Sequence, residues 1–229
     1  MNIKLITLDL DDTLWPVTDV IARAEVVYYN FLCREEAQLF STLSSDDLRD
    51  YRLQHLKKHP ELQHDISLWR RDSLYCQLLE AGFSKQRART LSDQAFEVFL
   101  EARQAVSLFP DAEAGLAWLA EHFSVVALTN GNADVTRMPI GRYFSGAVRA
   151  EEVKISKPAP EIFRAALDIG GAGPAQTLHI GDDPYHDIEP ARLLGMHTLQ
   201  ARITGKHQAV GPGFSHWHSV PDLIRELTS

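Results

Sequence analysis

Two short stretches of the chain crowd carboxylates together: Asp9-Leu10-Asp11-Asp12-Thr13, and Gly181-Asp182-Asp183 followed closely by Asp187. Carboxylates that approach one another repel and raise each other's pKa. A divalent cation, or a proton shared between them, relieves that repulsion. Asp and Thr also cap helices, so a run of N-caps, or a solvated acidic loop, is the plainer reading of each stretch alone. A calcium loop beginning at Asp9 fails, because its sixth position is Leu14 rather than Gly and its twelfth is Val20 rather than Glu. Between the acidic stretches lies Thr129-Asn130-Gly131-Asn132, a hydroxyl beside glycine-loosened backbone. Such a turn can cradle an anion with its N–H groups, though it also reads as an ordinary strand-to-helix turn. Lys157 precedes Pro158, which restricts it to extended backbone just ahead of a helix. That suits a lysine reaching inward, although most lysines lie on the surface.

The elements that must position these residues follow from hydrophobic spacing. Residues 3–8 form a β-branched, apolar run that stops at Asp9, which predicts a strand ending in acids. If strand geometry continues through Asp11, Asp9 and Asp11 share a face. Ser124 to Leu128, Thr177 to Ile180 and His197 to Ala201 predict further strands. Helices are expected over Asp111 to His122, over Glu161 to Asp168, and up to Leu194 with Gly195 at C′. Pro190 fits the first turn of that last helix if Asp187 is its N-cap. Strands alternating with helices imply a doubly wound, Rossmann-like parallel sheet. Each chemical stretch then falls at the C-terminal end of a core strand, or just beyond it, where open α/β sheets bind ligands.

Residues from about 17 to 106 differ in character. Four helical patterns appear, and the clearest runs Ala88, Leu91, Ala95, Val98, Phe99, Ala102, with Ser84 as a plausible N-cap. We expect an all-helical block here, giving an α/β core over 1–16 and 108–229 interrupted by a helical insertion over 17–107. Gly205 to Ser215 reads as a loop.

Composition narrows the class. The 229 residues carry 23 Lys+Arg against 31 Asp+Glu, a formal net charge of −8, with 45% hydrophobic residues. That balance disfavours general nucleic-acid binding, and no apolar run is long enough for a membrane span. The N-terminal residues do not form a signal peptide. Two distant cysteines, Cys33 and Cys76, read as buried thiols and make a reduced cytoplasmic setting the default. No feature assigns an oligomeric state.

Taken in order, an acidic pair after the first strand, a hydroxyl after a middle strand, a lysine, and a second acidic group after a late strand resemble the haloacid dehalogenase (HAD) superfamily. The matching residues are Asp9-x-Asp11-x-Thr13, Thr129, Lys157 and Asp182 to Asp187. The resemblance spans the α/β portion and makes the helical insertion similar to that family's C1-type cap. It implies a catalytic set of Asp9, Asp11, Thr129 and Lys157. Asp9 would be a nucleophile forming an aspartyl-phosphate. Asp11 would protonate the leaving alkoxide and then activate water. Thr129, Asn130 and Gly131 would hold phosphoryl oxygens, and Lys157 would offset charge. Mg²⁺ would be held by Asp9, Asp182 and the Asp11 carbonyl, with Asp183 and Asp187 as ligands or as supports to ligands. The second acid, Asp11, is absent from the superfamily's true dehalogenases, so the resemblance favours phosphoester hydrolysis of a small phosphorylated molecule.

Within that superfamily the chain resembles the bacterial phosphatases that act on flavin mononucleotide and on the ribitylamino-pyrimidine phosphate of riboflavin synthesis. The carriers are His64-Asp65-x-x-x-Trp69-Arg70, Thr129-Asn130-Gly131-Asn132-Ala133 and His179-x-Gly181-Asp182-Asp183. Trp15 and Trp69 are the aromatic residues expected to touch substrate. Nucleotide and sugar-phosphate hydrolysis are alternatives, and 2-haloacid dehalogenation is a further one. A receiver-type phosphorylation switch uses similar residues, but such domains are shorter and carry the acceptor after the third strand. Two histidine groups invite a metal reading. His216-Trp217-His218 would place two imidazoles on one strand face, yet two ligands do not make a site. His55 and His59 share a helix face, with His64 nearby, and a solvated surface is the expectation for them.

Overall fold

The computed structural model describes residues 2–228. The chain divides into two compact units, Met1–Val17 with Val106–Ser229, and Thr18–Ala105.

The first unit is built on a parallel sheet. Its strands are β1 (Leu5–Leu8), β2 (Ser124–Thr129), β3 (Gly146–Arg149), β4 (Thr177–Gly181), β5 (His197–Ala201) and β6 (Gly213–Phe214). They lie in the order β3-β2-β1-β4-β5-β6. β1 is central, pairing Leu5 with Ser124 on one side and with Thr177 on the other. All four of its residues are buried, as expected of a parallel strand covered on both faces. Successive strands are added outward on one side of β1 and then on the other. β1 and β4 therefore flank the switch point, where the strand ends leave a crevice.

The α-helices of the described residues are numbered in chain order. In the helical unit they are α1 (Val17–Glu35), α2 (Ala37–Phe40), α3 (Ser45–Lys58), α4 (Ile66–Glu80) and α5 (Lys85–Gln104). In the α/β unit they are α6 (Ala112–His122), α7 (Ala150–Val153), α8 (Pro160–Gly170), α9 (Glu189–Leu193) and α10 (Val220–Thr228). α8 packs Ile162, Phe163 and Ala166 onto Leu5, Val126 and Leu128. No helix among the described residues is long and apolar enough to cross a membrane.

The helical unit contains no strand among its described residues. Its helix starts are set by side chains that accept from first-turn N–H groups. Ser44 and Asp47 form a reciprocal capping box at α3, Asp65 accepts from Leu68 N at α4, and Ser84 accepts from Arg87 N at α5. The 3-4 spacing of α5 turns Ala88, Leu91, Ala95 and Phe99 onto Ala24, Tyr28 and Leu32 of α1. Burying each Leu or Phe in such a core stabilises by about 1.5–3 kcal/mol.

Several expectations are corrected. The strand does not continue through Asp11: β1 ends at Leu8, and Asp12 turns the chain with φ 60°. β3 and β6 had no recognised signal, and β6 lies within the stretch expected to be loop. Residues 217–219 form a 3-10 turn instead of a strand. Trp217 is fully buried there, donating its indole N–H to the Thr13 carbonyl at 3.0 Å. Cys33 and Cys76 are only partly buried. His55, expected to be solvated, is buried.

Candidate active site

Asp9 follows β1 directly, and its N–H donates to the Ile180 carbonyl of β4 at 2.9 Å. Its carboxylate is consequently fixed beside the end of β4. Thr13, after the Asp12 turn, donates its hydroxyl to Asp9 Oδ2 at 3.0 Å. Lys157 turns inward and is buried. Its Nζ donates to Asp9 Oδ1 and to Asp187 Oδ1, each at 2.6 Å. Asn130 holds the lysine backbone from both sides: Lys157 N donates to Asn130 Oδ1 at 2.7 Å, and Asn130 Nδ2 donates to the Lys157 carbonyl at 3.0 Å. Thr129 is buried at the end of β2 and accepts from Gly131 N at 2.9 Å. Asp9, Asp11, Thr129, Asn130, Lys157 and Asp182 all line one cavity of about 210 Å³.

The electrostatics follow from burial and from who faces whom. Burial pushes Asp182 up to about 8, and the neighbouring Asp9, Asp187 and Asp12 add to the rise. Burial likewise raises Asp9, to about 7, against the pull of Lys157. Burial alone would also raise Asp187, but Lys157 and His179 outweigh it and hold Asp187 well below the carboxylate range. Lys157 is driven upward because Asp187 and Asp9 overcome its desolvation. One lysine thus faces more negative charge than it can offset.

Asp9, Asp182 and Asp187 offer carboxylate oxygens within 4.8 Å of one another. Hard oxygen donors with surplus negative charge fit Mg²⁺, so the residues present suit the ion that the motif order implies. One expected ligand is engaged elsewhere. Asp183 accepts from Tyr185 N at 2.8 Å and from His186 N at 3.2 Å, and pairs with His186 Nδ1 at 2.7 Å. Asp183 therefore caps the turn, the role expected of Asp187. Asp187 instead sits in the π-helical turn Pro184–Ile188 with its carboxylate directed at Lys157 and at Asp183 N. Asp11 Oδ1 accepts from the Trp15 indole at 2.8 Å. Trp15, expected to touch substrate, is fully buried and does not line the cavity. Trp69 lies in the helical unit, donating its indole N–H to the Arg52 carbonyl at 2.8 Å.

Two site neighbours were given no role in the chemistry by the sequence, although His179 stood in a motif that carried the resemblance. His179 is buried in β4 opposite Thr7 of β1; its Nδ1 is 2.9 Å from Thr7 Oγ1 and its Nε2 is 3.3 Å from Asp187 Oδ1. Burial lowers its pKa and favours the neutral ring. With Asp187 accepting from Nε2–H, Nδ1 must accept from the Thr7 hydroxyl. Alternation with Gly181 along β4 was the available signal. Gly181 is required by the same packing, since a Cβ there would lie 2.5 Å from Asp187 Cγ. His207 reaches Asp182 Oδ2 at 3.4 Å from a loop that carries no periodic signal.

Comparison with known proteins agrees with this construction. The model of the haloacid dehalogenase-like hydrolases matches residues 3–195. The 5-amino-6-(5-phospho-D-ribitylamino)uracil phosphatase YigB of Escherichia coli (strain K12) is 31% identical over 201 residues, covering 88% of this chain and 84% of the relative. The phosphoserine phosphatase of Thermus thermophilus is 36% identical over 128 residues, covering 53% and 50%. A crystal structure described as a 2-haloacid dehalogenase from Pseudomonas syringae pv. Tomato DC3000 superposes with a TM-score of 0.91 at 34% identity, covering 98% and 99%. A family match over most of the chain, on a sheet whose strand ends gather Asp9, Lys157 and Asp182, identifies the chain as an enzyme of the haloacid dehalogenase-like hydrolase family.

Proposed function

We propose that the chain is a Mg²⁺-dependent phosphomonoester hydrolase working through an aspartyl-phosphate at Asp9. The carrying observation is the cavity at the strand ends, which brings Asp9, Asp11, Thr129, Lys157 and Asp182 to one wall. In the first step an Asp9 oxygen attacks phosphorus and the P–O bond to the substrate alkoxide breaks. Asp11 gives its proton to that oxygen. In the second step Asp11 takes a proton from water as the water attacks the phosphoryl group, releasing phosphate and regenerating Asp9. Thr129 and the N–H groups of Asn130 and Gly131 receive phosphoryl oxygens, and Lys157 offsets charge throughout. When bound, Mg²⁺ would neutralise phosphoryl charge and be held by Asp9, Asp182 and the Asp11 carbonyl, with Asp187 supporting them.

Asp11 also separates this reading from dehalogenation, the activity named for the solved relative. A halide leaves without a proton, whereas an alkoxide needs one. Asp11 stands two residues beyond the nucleophile, held by Trp15 at 2.8 Å. Asp9→Asn is expected to lower p-nitrophenyl phosphate turnover by about 10⁴-fold or more. Full activity in that variant would end the mechanism, and halide release from a 2-haloacid without phosphatase activity would favour the dehalogenase.

The helical unit is proposed as a C1-type cap over 17–107 that selects the substrate. It carries its own cavity of about 580 Å³, lined by Ile21, Val26, Leu53 and Trp69 together with Arg49 and Arg52. Apolar walls and one indole suit a flat heterocycle. Flavin mononucleotide or the ribitylamino-pyrimidine phosphate of riboflavin synthesis is the preferred substrate, in keeping with the name of the Escherichia coli relative. A panel of these compounds, nucleotides and sugar phosphates tests this. Preference for nucleotides or sugar phosphates would replace the assignment without touching the aspartyl-phosphate chemistry.

A further inference from the structure

A second cluster of metal-binding side chains lies in the helical unit. His55 in the last turn of α3 and His59, the residue that ends that helix, are four residues apart, and Asp72 and Cys76 are one turn apart on α4. Side chains at i and i+4 share a helix face, so two adjacent helices present two donors each. His55 Nε2 is 2.8 Å from Asp72 Oδ2, and the donor atoms of His55, Asp72 and Cys76 lie within 4.8 Å of one another. His55, His59 and Cys76 also line a common cavity of about 120 Å³.

We propose that α3 and α4 hold a transition-metal site of the Zn²⁺ class, with His55, Asp72 and Cys76 as ligands and His59 closing the fourth position by rotation of its side chain. Imidazole, carboxylate and thiolate are the donors that Zn²⁺ takes, whereas Mg²⁺ takes oxygen alone. A tetrahedral ion with bonds near 2.1 Å needs donors about 3.4 Å apart. The ion would take the place of the proton between His55 and Asp72, which leaves to solvent as the neutral ring takes its Nδ1–H form, and would push those two atoms slightly apart. Cys76 would lose its thiol proton to solvent as the sulfur–metal bond forms. Burial and the nearby Asp72 and Glu80 raise the Cys76 thiol, a penalty that a bound cation reverses. His59 Nδ1 lies 3.2 Å from Glu61 Oε1. That carboxylate fixes the tautomer and leaves Nε2 to coordinate, the arrangement common to metal-ligating histidines. The site would staple α3 to α4, independently of the chemistry at Asp9.

The full chain titrated with Co²⁺, in excess Mg²⁺ to occupy the oxygen site, tests the proposal. One equivalent is expected to give the intense visible bands of tetrahedral cobalt and a thiolate charge-transfer band in the near ultraviolet, both displaced by Zn²⁺. Cys76→Ser should abolish the charge-transfer band, Cys33→Ser should keep it, and His59→Gln should weaken binding about tenfold or more. Absence of the bands, or their survival in Cys76→Ser, overturns the site. X-ray absorption of the Zn²⁺-loaded wild-type chain keeps the test independent of variant folding. One sulfur neighbour is expected, and a shell of nitrogen and oxygen alone refutes the site.

Discussion

Asp9, Lys157 and Asp187 form one buried triad in the α/β unit, a cation between two anions. Arg52, Glu25 and Arg70 form another in the helical unit, an anion between two cations, with Glu25 Oε1 2.6 Å from Arg52 Nη2 and 2.8 Å from Arg70 Nη2. The first is net negative and has Asp182 beside it, a donor set that suits a cation. The second is net positive and borders a cavity whose wall also carries Arg49 and Asp46. Their construction differs as well. The first triad joins loops beyond β1 and β4 to Lys157, and strand ends hold it. The second joins three helices, and Arg70 is stacked with its guanidinium carbon 3.5 Å from the centre of the Phe99 ring. Burial would raise Glu25, but Arg70 and Arg52 outweigh it and hold it low. A sheet edge thus gathers opposite charges for chemistry, whereas the helical unit gathers them for packing and, we propose, for recognition.

The sharpest way to break this contrast is Lys157→Met. It leaves Asp9 and Asp187 facing each other without their shared cation. Turnover of p-nitrophenyl phosphate should fall by about 10³-fold. Loss of less than tenfold would remove Lys157 from the chemistry. Glu25→Gln breaks the other triad and leaves Arg52 and Arg70 in repulsion. Urea unfolding should show about 2–4 kcal/mol of lost stability, with the Mg²⁺ requirement of catalysis unchanged.

A third test is pH dependence in chelator. The folded pKa of Asp182, about 8, lies above its value in an unfolded chain. The folded state therefore holds more protons between about pH 4 and 8, and stability falls as pH rises through that window. Melting temperature should drop by several degrees from pH 5 to 8. Asp182→Asn should flatten the slope, as should millimolar Mg²⁺. A slope that survives both would mean that other groups carry it. The smallest effect belongs to Asp65→Ala. Asp65 is part of the motif that pointed to riboflavin-pathway phosphatases, yet it accepts from Leu68 N at 2.8 Å as the N-cap of α4. Its loss should cost about 1 kcal/mol, with substrate preference unchanged; a switched preference would return Asp65 to recognition.

How much of this was legible depends on what each residue had to reveal. β1 and β2 are largely apolar runs that stop at Asp9 and Thr129, as a sheet covered on both faces demands, and the more polar β4 stops at Gly181. β3 was invisible because Gly-Ala-Val-Arg is short and only Val148 is buried. Lys157, Thr129 and the acids could be placed at strand ends from their order alone. Side-chain direction could not. Asp183 took the capping role expected of Asp187 because a π-helical turn rotates Asp187 inward, and no local spacing announces such a turn. Trp15 looked like a pocket wall until its neighbours buried it, and His55 looked solvated until α4 packed beside it.

The central place of β1 has a consequence for how the protein is made. Leu5 pairs with Ser124 and with Thr177, so the strand that delivers Asp9 is synthesised long before either neighbour exists. The whole helical unit, Thr18–Ala105, leaves the ribosome in between. During that interval three apolar residues and Thr7, with their backbone groups unpaired on both edges, wait in a nascent chain, the kind of segment that aggregates or needs a holding chaperone. Only when β4 docks does the nucleophile meet the acids and the lysine that give it a function. The strand that leads into the nucleophile is therefore flanked on both sides only once β4 has formed, and activity during translation cannot precede the emergence of residue 187.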